Sequence, residues 1–491
     1  MSIFMIGVTF LLALFLGIRA RRGREMKLES WVVGDRNFGN IVMFVLMAGE
    51  MFTTFIFLGA SSASYSMGSP VIYIFCAVTY IIPFWILPHI WRYAKKHNLL
   101  TQPDFFVKKY NSKSLGLIVA IVGVVSIIPY MVLQLNGIKI IVSEASYGAI
   151  SPNLAVWIGV IVVTIFVYIS GIHGSAFTAI LKDILMLVTI LFLGIYLPFH
   201  YYGGVESMFR TLDAAKPGFL LMPKSGLSIT WYISVCLIVA LGQYMWPHVF
   251  GASLSSKDSQ TLRKNAALIP LYQILMVFIL FIGFTALLQM PHIPGGRTDL
   301  VLFKIAKASL PPWFIGVIGS AGLLAALVPS SLLLLTASTL LSKNIYKAIK
   351  PNTSDAKVAS LTRIFVPVIA LTALLFTFYG GKTMLSLLLM AYSFVLQLFP
   401  ALIMSFLKRN PVTKSGAIAG ILSGIITVAY VTIKNTTFGT LFPHAPQFLK
   451  DMDSGFITFT INIVIMFGVS GISYLITSSK GSDQKVYKEI V

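Results

Sequence analysis

The chain has 491 residues, of which 57% are hydrophobic and only 11% charged, and its mean hydropathy is +0.86. Soluble domains are typically about a quarter charged, so a set of soluble domains is excluded. A formal net charge of +21 would suggest nucleic acid in a soluble protein. In a chain this apolar it reads instead as basic residues gathered in cytoplasmic loops, with no nucleic-acid partner.

At about 20 apolar residues per crossing, the runs predict an all-α integral membrane protein with thirteen spans. They lie near residues 2–18, 41–65, 70–91, 115–144, 152–170, 174–197, 228–250, 266–289, 313–341, 362–379, 382–406, 415–433 and 455–477. The first run is followed by its basic cluster, Arg19, Arg21, Arg22 and Arg24. A signal peptide has the reverse order, so a retained helix with the N-terminus outside is expected. On that topology 26 of the 37 Lys and Arg fall in cytoplasmic segments and nine in outer ones, with Lys139 and Lys182 inside helices. The opposite sense violates the positive-inside rule. An odd number of spans leaves the C-terminus cytoplasmic, in a cell membrane.

The whole of 1–491 is expected to be one transporter domain. After the extra helix 2–18, five spans (41–197) form one group and five more (228–406) another, with two C-terminal helices at 415–477. Because five is odd, the second group starts from the opposite face, giving the 5+5 inverted repeat common in secondary transporters. The outer loops 198–227 and 290–312 have room for short surface helices. The tail is too short for a soluble module. No GxxxxGK[ST] phosphate loop occurs, so ATP is not the expected energy source.

Two spans should break. The first span of the first group contains Gly49-Glu50-Met51-Phe52-Thr53-Thr54, then Gly59-Ala60-Ser61-Ser62. Small and hydroxyl residues let a membrane helix unwind, because hydroxyls re-satisfy freed backbone groups. The first span of the second group contains Gly242-Gln243-Tyr244-Met245-Trp246-Pro247-His248, where proline removes a donor and clashes with the preceding turn. Matched interruptions point to a binding site at the membrane midplane; a proline kink and a small-residue packing face are the structural alternative.

Several stretches resemble the sodium:solute symporter family, whose core has the LeuT-type inverted repeat. Ser30 to Arg36 is similar to the loop before the family's first core helix. Gly171 to Asp183 resembles its glycine turn and following helix, which carries a Thr-Asp pair where this chain has Lys182-Asp183. Asn344-Ile345-Tyr346-Lys347 resembles the close of the eighth core helix, and Gly416 to Gly420 with Gly424 a late glycine motif. Ile128 to Leu135, Pro247 to Lys257 and Ala326 to Pro329 look most like the prokaryotic monocarboxylate permeases for lactate, pyruvate and similar acids. The resemblance implies symport of a small organic anion by alternating access, driven by a sodium ion or proton, with no other cofactor and no obligate protein partner. It places a cation at the backbone carbonyls of Gly49 and Phe52, with Ala326, Ser330, Ser331 and Asp183 as further coupling-ion positions. It departs from the family at Ala326-Leu327-Val328-Pro329-Ser330-Ser331, where, depending on register, Pro329 takes the place of one of two adjacent hydroxyl residues and Val328 of the other, which puts the sodium site in question.

Glu50 is the most informative residue. A midplane carboxylate costs roughly 2.5–3.5 kcal/mol on insertion scales and so faces a cavity or a partner, as proton carrier, cation ligand or structural acid. Lys182 and Asp183 are adjacent, about 100° apart on a helix, so they are expected not to pair, and Lys182 to reach for the surface. Asp183 lies on the inner cation path by resemblance or belongs to a structural pair. Tyr130 and Gln134 share a helix face, as substrate ligands or interhelical glue. Gln243, Trp246, His248, Thr53 and Thr54 complete the substrate candidates, each with packing as its alternative. Lys139 and Glu144 read as interfacial. Cys76 and Cys236 lack metal or redox spacing, and no nucleophile elbow is present, so enzyme activity is not expected. A same-fold alternative is a sodium-coupled amino-acid or sugar symporter; another class is a sensor or channel reusing the fold.

Overall fold

A computed structural model describes residues 1–21, 27–76, 78–293, 297–379 and 382–490. Arg22 and Arg24 of the basic cluster lie outside the described residues. Among the described residues every extended element is a helix, apart from one isolated parallel bridge between Phe38 and Ser256. This is what a bilayer demands, since a helix satisfies its backbone polar groups within one segment. Hydroxyl caps start several helices: Ser112 accepts from Leu115 N at 3.2 Å and Thr413 from Gly416 N at 3.1 Å.

Ten of these helices are long and apolar enough to cross a membrane, or eleven when one sharply bent pair counts as a span. The difference from thirteen has two causes. Residues 152–170 and 174–197 count as one element, Pro152–Tyr202, but they are two helices that meet at Gly171, where φ 53° and ψ −157° are not helical. That conformation suits glycine, and the Trp31 indole lies directly against the Gly171 Cα. The run 41–65 is too interrupted to count as a continuous span.

The structure breaks helices at both expected places. Asn40–Gly49 stops short, residues 50–53 form turns rather than regular helix, a π turn covers Phe55–Gly59, and Ala60–Met67 continues. Ile229–Gly242 runs into a tight turn at Gln243–Met245; Trp246 is extended (ψ 123°) and Pro247–Leu254 leaves at 48°. Proline accounts for both halves of that bend. It forces the preceding residue out of helical geometry and is at home as the first residue of the next helix. Short helices occupy both long loops, Val205–Ala215 and Val301–Ser309.

Pro312–Thr339 lies at the centre, with nearly every residue from Ile315 to Thr339 buried. It packs on Pro152–Tyr202, Lys113–Ala145 and the N-terminal helix Ser2–Arg21. At one end the two broken helices are tied by main chain. Phe38 N donates to Ser255 O and Lys257 N donates to Phe38 O, each at 3.0 Å. Trp91 Nε1 caps the tie by donating to Ser256 O at 2.7 Å.

Candidate functional site

The two breaks face each other across a cavity of about 70 Å³, lined by Glu50, Thr53, Tyr130, Gln243, Trp246 and His248. Tyr73, Thr79, Tyr80, Gln273 and Tyr392 complete its polar and aromatic wall. Six of the residues expected from the sequence therefore share one space. Tyr130, Trp246 and His248 pack ring against ring, with centroids 4.9 Å (Tyr130–Trp246), 5.7 Å (Tyr130–His248) and 5.5 Å (Trp246–His248) apart. Trp246 meets Tyr392 edge-on at 5.4 Å.

Glu50 sits at the first break with a side chain 1% exposed. Among the described residues neither of its oxygens accepts a hydrogen bond. His248 Nε2 lies 3.2 Å from Glu50 Oε2, in ion-pair range, and His248 Nδ1 has no hydrogen-bond partner. Buried polar groups normally find partners, so this pair is conspicuous for what it leaves open toward the cavity. Thr53 Oγ1 accepts from Phe55 N at 3.2 Å, which keeps its own proton available as a donor. The Tyr392 hydroxyl donates to Gln243 Oε1 in a short bond.

Thr54 and Gln134 do not line the cavity. The Thr54 hydroxyl donates to Gln134 Oε1, and both side chains are buried. The pair ties the break to the helix Lys113–Ala145. Gly137, one turn beyond Gln134, permits the approach, since a Cβ there would collide with the Thr54 side chain.

The carbonyls of Gly49 and Phe52, read as cation ligands through the resemblance, are engaged by a side chain. Lys182 Nζ donates to Gly49 O at 2.5 Å and to Phe52 O at 3.1 Å. Asp183 Oδ1 lies 3.1 Å from the same nitrogen, and Lys182 is fully buried. Two expectations are corrected here: Lys182 and Asp183 do pair, and Lys182 does not reach the surface. The four-carbon stem overcomes the 100° separation, and the free carbonyls where Asn40–Gly49 ends supply a better partner than the headgroup region. Of the remaining coupling-ion positions, Ala326 is buried in the central helix. The Ser331 hydroxyl meets Val328 O and the Ser175 hydroxyl at 2.6 Å each, and the buried Ser330 hydroxyl has no partner.

Lys139 and Glu144 lie along a second hollow of about 460 Å³ with Arg297, Asp299 and Lys382; Glu144 Oε2 pairs with Lys307 Nζ at 2.7 Å. Among the described residues no group of His, Cys, Asp and Glu is disposed to hold a metal ion. Sequence reasoning missed Tyr392, which sits in an apolar helix with nothing to distinguish it from packing. It also missed the destination of Lys182, although an unpaired cation at helix depth was itself a signal.

The family model described as "Sodium:solute symporter family" matches residues 31–424. The Bacillus subtilis (strain 168) protein described as the uncharacterized symporter YhjB is 53% identical over 462 residues, 94% of each chain. A monocarboxylate transport permease of Rhizobium johnstonii is 29% identical over 431 residues, 84% of each. Among solved structures, a substrate-bound, outward-open Na+-coupled sialic acid symporter superposes with a TM-score of 0.76 at 16% identity, covering 96% of this chain and 98% of the other.

Proposed function

Because the chain belongs to the sodium:solute symporter family, whose members are multi-pass membrane transporters rather than enzymes, we propose that it imports a short monocarboxylate by alternating access, driven by a cation gradient. The observation that carries this reading is the Glu50–His248 pair at the cavity, an acid and an imidazole with unused hydrogen-bonding capacity. A protonated Glu50 removes a negative charge from the wall and becomes a donor. The imidazole, the Thr53 hydroxyl and the amide nitrogen of Gln243 are further donors for a carboxylate. The two short half-helices present freed backbone groups at the same depth.

Size supports the class of solute. A water needs roughly 10–15 Å³ of such space, so about 70 Å³ accommodates about five water positions. That suits a solute of half a dozen non-hydrogen atoms, such as lactate or pyruvate, better than a sugar. The similarity to a monocarboxylate permease agrees with this assignment. For the driving ion the proposal is a proton shared between Glu50 and His248. The architecture proposed with it keeps the thirteen spans, 41–197 and 228–406 as inverted repeats, and both termini on the sides given above.

The test is uptake of radiolabelled lactate and pyruvate into proteoliposomes under separately imposed proton and sodium gradients. Saturable uptake that accumulates with the proton gradient is expected. Uptake of proline or glucose in place of either acid overturns the substrate class, and a strict need for sodium at constant pH overturns the proton.

A further inference from the structure

Where Asn40–Gly49 ends, the chain frees two carbonyls, Gly49 O and Phe52 O, inside the helix bundle. The end of a helix also carries partial negative charge. Together with Asp183 this makes an anionic cradle built for one cation. The cradle is filled from within the chain. Lys182 Nζ lies 2.5 Å from Gly49 O, 3.1 Å from Phe52 O and 3.1 Å from Asp183 Oδ1. An ammonium has three N–H donors, and three oxygens surround this one. Its stem is fully buried, and a Cβ added to Gly49 would stand 3.1 Å from the same nitrogen, so the ammonium lies directly against the Gly49 main chain and already engages both carbonyls.

We infer that Lys182 is a tethered cation that takes the place of a bound sodium ion at the first helix break, and so sets the ion specificity of this carrier. The inference deepens the cation-coupled reading above but does not depend on which acid is carried. A mobile ion must bind from solution and contributes its binding energy only when present. A tethered ammonium holds the break together at any sodium concentration. Sodium therefore has no binding step at this place, and the gradient that drives transport acts elsewhere, at Glu50 and His248. The neighbouring central helix agrees in one respect: the Ser331 hydroxyl is already engaged by Ser175 and Val328.

The experiment measures sodium binding directly, with no transported solute. Purified full-length protein is assayed for saturable binding of radioactive sodium, and for its melting temperature in sodium against potassium at equal ionic strength. Wild type is expected to bind no sodium saturably and to melt alike in both salts. Lys182→Ala empties the cradle, taking the cation from Asp183 and leaving both carbonyls unpaired. It is expected to melt lower than wild type in potassium, to recover several degrees in sodium, and to gain saturable sodium binding. Lys182→Arg, which keeps the charge, should remain indifferent to sodium. Saturable sodium binding by wild type overturns the inference, and so does a folded Lys182→Ala protein that ignores sodium. Should Lys182→Ala not fold, the wild-type measurement still decides. Because lactate and pyruvate are absent, a failed uptake assay leaves this result standing, and the converse also holds.

Discussion

Glu50 and Tyr392 represent two kinds of residue in the cavity, one legible in the sequence and one not. An acid amid 41–65 has no cheap place in a bilayer, so its importance follows from its type and position alone. Its partner His248, almost 200 positions away, could be named as a candidate only because it follows Trp246-Pro247, and the 3.2 Å contact between them required the fold. Glu50→Gln mimics the protonated form and cannot release a proton. It is expected to abolish accumulation of substrate against a gradient while leaving exchange of internal for external substrate, both read in proteoliposomes. Continued accumulation by the mutant driven by a proton gradient would remove Glu50 from the coupling role. Tyr392 was illegible because a tyrosine in an apolar helix is usually packing. Its hydroxyl fixes the orientation of Gln243, so Tyr392→Phe should weaken apparent substrate affinity about fivefold, the equivalent of about 1 kcal/mol for one hydrogen bond, with little change in melting temperature. Thr54 and Gln134 show the opposite error. Four-residue spacing put Tyr130 and Gln134 on one face, but the side chain at each level of that face meets a different neighbour.

Among the elements, breaks were easier to foresee than joins. Proline and glycine dictate where hydrogen bonding must stop, so Gly49–Thr54 and Trp246–Pro247 follow from local chemistry. The break at Gly171 was legible in the Gly171 and Gly174 pair, but its join to Trp31, whose indole packs where a Cβ would stand, was hidden. The short helix Gln102–Tyr110 carries another join that no local pattern reveals. Thr101 and Asp104 cap it reciprocally, and Asp104 also holds Lys343 at 2.5 Å and Asn344 at 2.9 Å from the end of the central helix region. Burial pushes the Asp104 carboxyl up, but the charge of Lys343 and the hydrogen bonds from Lys343, Asn344 and Thr101 outweigh it and hold the group below its ordinary range. The folded state thus binds this proton more weakly than the unfolded chain does. The contribution is fully present above the ordinary carboxylate value of about 4 and is lost as pH falls through the lower folded value. Asp104→Ala should cost about 3 kcal/mol, as for one partner removed from a largely buried pair. It should also flatten the acid side of a melting-temperature profile in detergent.

At the scale of the whole molecule, hydropathy and charge carried most of what could be known. Apolar runs define where chain crosses the membrane because the bilayer punishes every alternative, and the bias of Lys and Arg gives an orientation by the same physics. That orientation is open to a direct check, since Cys76 and Cys236 are both buried and should stay silent toward an impermeant maleimide. Lys216→Cys, exposed in the loop 198–227, should label in intact cells, whereas the exposed Lys350→Cys should label only after permeabilisation; the reverse pattern would invert the topology. Long-range pairing stayed out of reach because it is made of contacts that leave no trace in composition. The tie between Phe38 and Ser255–Lys257 is the extreme case, since it is made of main-chain hydrogen bonds that any residue except proline can form. A survey replacing each side chain by alanine would therefore register only its Trp91 cap and pass over the main-chain clasp itself. Only a backbone edit, such as Phe38→Pro, would reveal that the two halves of the carrier are fastened by atoms every amino acid shares.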